Sequence, residues 1–172
     1  GMLAPSSKTR QPWHFIVTTG SAKEQVLKAM EAGLKREEKQ PFLPESAPYL
    51  DGARATLKIM KEAPVIIFIT DPLASPMDQP LAIDERVSEI CNAQSMGAAI
   101  ENMTLAATEL GLGTVWVCYF KPDVLRKEFD LPANLEPVNI LVVGYSDEGT
   151  GDPNRFNKQR IPMSQLVSYE TL

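Results

Sequence analysis

Hydrophobic and polar positions follow helical and strand periods in turn along this chain. His14–Thr19 becomes apolar and β-branched, which predicts a buried strand. Ser21, with Glu24 three positions later, reads as a capping box. The helix it opens carries Val26, Leu27, Met30 and Leu34 as an apolar stripe. Residues 37–49 are charged, then proline-rich, and predict a loop. A short helix follows over Leu50–Glu62, with Ala53, Leu57 and Met60 on one face. Val65-Ile66-Ile67-Phe68-Ile69 is an unbroken apolar run, the pattern of a central strand covered on both faces. Asp71–Ile83 holds three prolines and no regular pattern. A lid over a pocket and a plain surface loop both stand for it.

Asp84–Leu110 predicts a long helix, opened by Asp84 and Glu85 at its positive end. Its middle is built of small residues, Ala93, Ser95, Gly97, Ala98 and Ala99, with Ala106 and Ala107 further on. Ile90, Met96, Ile100, Met103 and Leu110 supply apolar surface on more than one side. Such a helix is buried on more than one side, and in a small domain the second cover is often a partner subunit. Gly111 suits the C-terminal cap, and Gly113–Cys118 reads as a short strand. Lys121-Pro122-Asp123 opens a short helix. Val138–Tyr145 reads as another central strand, and residues 146–157 as a flexible polar loop.

Composition narrows the function classes. At 172 residues the chain is most simply one domain, 1–172, large enough for a real core. A net charge of −5 argues against a dedicated nucleic-acid binder. No apolar run approaches the roughly 18 residues of a membrane span, and no secretory signal opens the chain. Cys91 and Cys118 form neither a disulfide framework nor a metal motif, and a single histidine leaves little room for a metal site or a catalytic triad. The expected setting is a reducing cytoplasm.

The chemistry concentrates at Ala4–Val17. Ser6–Arg10 are hydroxyl-bearing or cationic, and Gln11-Pro12-Trp13 forms a rigid joint in which Pro12 biases Gln11 toward an extended backbone. A donor-rich loop is thus fastened to a core strand, a common way to build an anion or ligand site. Thr18-Thr19-Gly20-Ser21 reads as ordinary capping or as a phosphate-gripping turn. His14 reads as a packed or surface residue or as a catalytic one. Lys158 and Arg160, two apart on an extended chain, face one side and suit one phosphate.

Three segments carry a resemblance. A-P-S-S-K-T-R-Q-P-W-H-F (4–15), S-M-G-A-A-I-E-N through L-G-L-G-T-V-W (95–116), and K-Q-R-I-P (158–162) after a G-Y strand end resemble, in order and rough spacing, the motifs of the nitroreductase family of FMN-dependent NAD(P)H oxidoreductases. The resemblance implies an α+β fold, with a mixed, mostly antiparallel central sheet flanked by helices. It implies an intertwined homodimer through the long buried central helix, with FMN at the interface. Pro5, Ser6, Ser7, Thr9 and Gln11 of one subunit would bind the cofactor with Trp116, Val117, Cys118, Lys158 and Arg160 of the other. Trp116 also reads as core, and Cys118 as a buried small residue rather than a nucleophile. NADH or NADPH would reduce FMN and leave, and a nitroaromatic, quinone or similar small acceptor would take the electrons in a ping-pong cycle. Flavin N5 carries the hydride, so no catalytic side chain and no metal is expected.

Two departures from the family pattern stand out. Thr9 occupies a position where the family has Asn. The family's N-terminal R-R-S-x-R-like phosphate motif has no counterpart here, and Lys8 or Arg10 is expected to compensate. A second reading is therefore a non-catalytic dimer of this fold that binds flavin weakly or not at all. A third is a specialised flavin reaction, such as reductive dehalogenation or ring oxidation.

Overall fold

The computed structural model describes residues 1–41, 45–75, 79–118, 136–146 and 160–169, together with Val124, Lys127 and Asp130. The expected helix opening at Lys121 and most of the loop at 146–157 lie outside these residues.

Among the described residues, four strands form one sheet. They are β1 (His14–Thr18), β2 (Val65–Asp71), β3 (Gly113–Val117) and β4 (Glu136–Gly144), in the order β1-β2-β4-β3. All three pairings are antiparallel, with Ile16 opposite Phe68, Phe68 opposite Ile140 and Val115 opposite Val142. The register shifts between Ile69 and Thr70, where Pro137 stands opposite Thr70. A proline has no N–H for the ladder and is tolerated at such an irregularity.

The strand period of two explains how the unbroken run of β2 is used. Ile66 and Phe68 point to one face, where they meet Val26, Leu27 and Ala29 of α1 (Gly20–Lys39) and Leu57 and Met60 of α2 (Leu50–Glu62). Ile67 and Ile69 point to the other, where Met96 and Ile100 of α3 (Ile83–Glu109) close the core with Leu141, Trp13 and Phe15. The sheet is thus a middle layer between α1 and α2 on one side and α3 on the other. This is the expected α+β architecture, and β2 is covered on both faces as its apolar run predicts.

Local detail departs from expectation in three places. Ser21 does not cap α1, because the helix begins at Gly20 with Thr19 before it and no side-chain cap bond forms. Gly20, at φ +51, makes the bend that a side-chain cap would otherwise help to fix. The loop predicted from residue 37 starts later, since the straight-chain residues Arg36–Lys39 continue α1 until Pro41 stops it. Ala53 is exposed, and the buried face of α2 is Leu57 and Met60.

Polar contacts, among them an ion pair of Lys61 with Glu31, tie α2 to α1. Lys23 of α1 is buried, and its Nζ donates to the Lys61 carbonyl in the last turn of α2 at 2.8 Å, where a cation suits the helix dipole. Arg54 of α2 reaches Glu38 of α1 at 2.6 Å. The end of α3 is a full Schellman motif. Leu112 N–H donates to the Ala107 carbonyl at 2.8 Å and Gly111 N–H to the Thr108 carbonyl at 3.0 Å, with Gly111 at φ +75 as expected of its C-terminal position. A further short helix, α4 (Met163–Leu166), lies near the C-terminus.

Candidate functional site

The Ala4–Gln11 segment is ordered by bonds that its own sequence supplies. Ser7–Thr9 form one 3-10 turn, with Thr9 N–H donating to the Ser6 carbonyl and Arg10 N–H to the Ser7 carbonyl, both at 3.1 Å. Lys8 (φ 53), Thr9 (φ 56) and Gln11 (φ 48) all lie in the left-handed region. The extended backbone expected at Gln11 is therefore not what forms. Ser6 Oγ accepts the Gln11 N–H at 3.1 Å, and this local bond curls the loop back before Pro12. Pro12 is fully buried and anchors the exit into β1. Pro5, Lys8, Thr9, Arg10 and Gln11 are exposed, and Ser6 and Ser7 are half-buried.

The turn sits on α3. Ser7 N–H donates to Ser95 Oγ at 3.3 Å, and Ser95 in turn donates to the Cys91 carbonyl at 2.7 Å. Farther along the same helix, Trp116 Nε1 donates to Thr104 Oγ1 at 2.9 Å. Val117 is buried at the end of β3. Cys118 is exposed, which corrects the expectation of a buried residue. It lies just past the end of the edge strand β3, on the opposite face of the sheet from Val117. Its Sγ accepts from Asn139 Nδ2 at 3.4 Å.

Within one chain the two halves of the expected site stay apart. Ser95 and Thr104 are nine residues apart on α3, about 14 Å along the axis. Arg160 is exposed, while Lys158 lies outside the described residues. His14 is exposed at the start of the edge strand β1. The alternative phosphate turn at Thr18–Ser21 has one hydroxyl already committed, since Thr18 Oγ1 donates to the Ile66 carbonyl inside the sheet at 2.8 Å.

Two features were missed by sequence reasoning. Ser95 counted only as a small residue. The available signal was a hydroxyl inside a helix, where serine usually turns its side chain to a nearby backbone group. Asp71 opens a loop by its sequence pattern, yet it closes β2 and is only 2% exposed. Its Oδ1 accepts the Leu73 N–H at 2.7 Å, and Glu89 Oε1 of α3 accepts the Ser75 N–H at 2.8 Å. Burial holds the Asp71 carboxyl above the ordinary carboxylate range, against the Leu73 bond, and repulsion from Glu89 pushes the same way as burial. Asn92 beside it is buried, and no described residue partners its Oδ1. Among the described residues no cluster of three or more His, Cys, Asp and Glu side chains could hold a metal. No described helix is long and apolar enough to cross a membrane.

The chain is similar in sequence and in fold to known proteins. A Methanothermobacter thermautotrophicus protein, provisionally named an NADH dehydrogenase/NAD(P)H nitroreductase, is 27% identical over 170 residues, which is 95% of this chain and 71% of that protein. A crystal structure of a nitroreductase family protein from Clostridium difficile 630 is 32% identical. It matches 99% of this chain and 81% of its own, with a TM-score of 0.62. Oxidised iodotyrosine deiodinase, solved with FMN and 3-iodo-L-tyrosine bound, shares the fold at 24% identity and a TM-score of 0.66, over 99% of this chain and 83% of its own. The model of the nitroreductase family matches residues 1–145, which include the Ser6–Gln11 loop, α3 and Trp116, and the chain belongs to that family.

Proposed function

We propose that this chain is an FMN-dependent oxidoreductase that works as a homodimer. It takes electrons from NADH or NADPH and passes them to a small acceptor such as a nitroaromatic or a quinone. The observation that carries this reading is the Ser6–Gln11 loop, held in an uncommon left-handed shape on α3 in a chain of the nitroreductase family. Backbone held in sparsely populated regions tends to mark ligand clamps.

The donor set fits a phosphorylated flavin. Ser6 uses its oxygen to accept from Gln11, so its own proton is free to be donated outward. Lys8 and Arg10 are exposed cations on the same turn, available to a phosphate. Pro5, Ser7, Thr9 and Gln11 complete this half of the site. Trp116, Val117, Cys118, Lys158 and Arg160 are assigned to the other half. A bound flavin would supply the hydride acceptor and donor. The protein would orient it, neutralise its phosphate and shape the space above its ring.

The homodimer reading rests on three features. Ile83, Val87, Ile90 and Leu105 lie exposed on the outer face of α3, where isolated helices rarely leave such a stripe uncovered. Ala93, Gly97 and Ala98 keep the middle of α3 small, which lets a second helix approach closely. Ile161, Met163, Leu166 and Tyr169 of the C-terminal segment are also exposed. Twofold, antiparallel packing of two α3 helices would bring the Ser95 end of one against the Thr104 end of the other, closing the 14 Å gap. A cytoplasmic setting suits the two free thiols, Cys91 and Cys118.

The test is an absorbance titration with FMN, followed by NADH or NADPH under anaerobic conditions. The reading expects perturbed flavin bands that bleach on adding one of the nucleotides, then recover with a nitroaromatic or quinone. Bands that stay those of free FMN at saturating protein would favour the non-catalytic dimer. Bleaching that is reversed only by a halogenated aromatic would favour the dehalogenating chemistry.

A further inference from the structure

We infer that Ser95 is a positioning residue for the cofactor loop: its hydroxyl caps the Ser7 turn from outside and so sets the orientation in which that turn meets the flavin. The inference rests on the reading that this loop binds FMN.

The opening N–H groups of any helical turn lack partners within the turn. Here the residue before the turn is Ser6, an ideal cap by type, yet it makes no cap bond to the turn. Its oxygen is engaged by the Gln11 N–H instead. The Ser7 N–H opens the turn, a position that a cap from the preceding residue does not serve, and its acceptor is Ser95 Oγ at 3.3 Å. Ser95 is only 6% exposed. Its proton is committed to the Cys91 carbonyl at 2.7 Å, so its lone pairs are what it offers to Ser7. The hydroxyl is aimed by the helix that carries it, not by the loop.

The loop has reason to need such an anchor. Lys8, Thr9 and Gln11 all hold left-handed backbone, which none of these residue types favours. A shape of that kind persists only where surrounding contacts over-determine it. The Ser6–Gln11 bond does this from within and the Ser7–Ser95 bond from without. Removing the second leaves the turn free to rotate as a unit relative to α3, with its internal curl intact. The expected consequence is a loop that still forms but presents Ser6 and Ser7 to the cofactor over a wider range of orientations.

The experiment compares FMN dissociation constants, by flavin fluorescence quenching, for wild type, Ser95→Ala and Ser95→Thr. Hydrogen exchange of residues 6–11 is followed in the flavin-free proteins. Ser95→Ala is expected to weaken FMN binding about three- to tenfold, the loss of one ordinary hydrogen bond, and to speed exchange at the Ser7 amide. Ser95→Thr, whose hydroxyl can make the same bond back along the helix, is expected to restore both. Ser95→Cys, similar in shape and a poor acceptor, replaces the alanine variant if that one fails to fold. Unchanged FMN affinity and Ser7 exchange in Ser95→Ala would overturn the inference, as would Ser95→Thr behaving like Ser95→Ala. Wild-type protein that binds no FMN would overturn the functional reading first, and this inference with it.

Discussion

Trp116 Nε1 donates to Thr104 Oγ1 across 2.9 Å, and this bond ties the edge strand β3 to α3. Thr104 gives its own proton to the Ile100 carbonyl at 3.0 Å, so its oxygen is left to accept from the indole. Trp116→Phe keeps most of the apolar contact and removes the donor. We expect a cost of about 1 kcal/mol, a fall in melting temperature of roughly 2–4 °C for a chain of this length. Thr104→Val should cost a similar amount. The double variant should cost no more than the larger single, because the partners share one bond. Losses that simply add in thermal melts would mean the bond contributes nothing to stability.

The outer face of α3 makes a separate prediction about assembly. A Cβ placed on Gly97 meets no atom within 4 Å in this chain, so a larger residue is accommodated in the isolated fold. Gly97→Leu should even favour the helix, by up to about 1 kcal/mol. In a dimer closed through this face the same side chain would hold two helices apart. Sedimentation should give wild type at twice 19.0 kDa and the variant largely at 19.0 kDa. A variant that dimerises as tightly as wild type would remove α3 from the interface.

What was legible in the sequence was mostly what depends on period and punctuation. The alternating faces of Val65–Ile69, the stripe of α1 and the stop at Gly111 follow from local pattern and appear in the fold as read. What was not legible depends on partners distant in the chain or on a single side-chain bond. Pro12, the residue after Gln11, biases it toward extended backbone, while Ser6, five residues earlier, decides its backbone. The residue type of Cys118 points to burial, while its exposure is set by the end of an edge strand. Asp71 looked like the first residue of a loop because nothing local announces that β2 continues through Thr70 to the buried end of the sheet.

Thr9 links the family comparison to backbone strain. It sits at φ 56, which a β-branched side chain tolerates poorly and asparagine tolerates well. Asparagine at this position in the resembling motif then has a conformational reason, separate from any contact with cofactor. Thr9→Asn should stabilise the flavin-free protein by about 0.5–1 kcal/mol, a rise of a few degrees in thermal melts. A fall on making that change would show that the threonine side chain has packing that outweighs its strain.

Gly144 closes β4 against the joint between α2 and β2. A Cβ there would stand 2.9 Å from Pro64 Cδ and 3.6 Å from Ala63 Cα. Neither atom belongs to a flexible side-chain end, so the backbone must give. Gly144→Ala should cost about 1–3 kcal/mol, the usual range for overpacking. Chemical denaturation with an unchanged m-value would report this as lost stability of the same folded state. A midpoint equal to wild type would mean the strand end moves aside freely.

Asp71 predicts a pH dependence whose sign can be worked out. Burial, reinforced by Glu89, raises its folded pKa above the ordinary value, which is about 3.9 in an unfolded chain. Between those two values the folded protein holds more protons than the unfolded one, so this group lowers stability as pH rises through the window. Below the window the penalty is absent, and above the folded pKa it is complete. Asp71→Asn keeps an acceptor for the Leu73 N–H and cannot ionise. Whatever its absolute stability, the variant should gain on wild type as pH rises from about 4, and the gap should then level off. Glu89→Gln removes the neighbouring like charge but keeps an acceptor for Ser75, so it should narrow the window from its upper end. Melting temperatures of the three proteins from pH 3.5 to 7 decide the matter: a gap between wild type and Asp71→Asn that does not change with pH would mean the buried carboxylate ionises as easily as a solvated one.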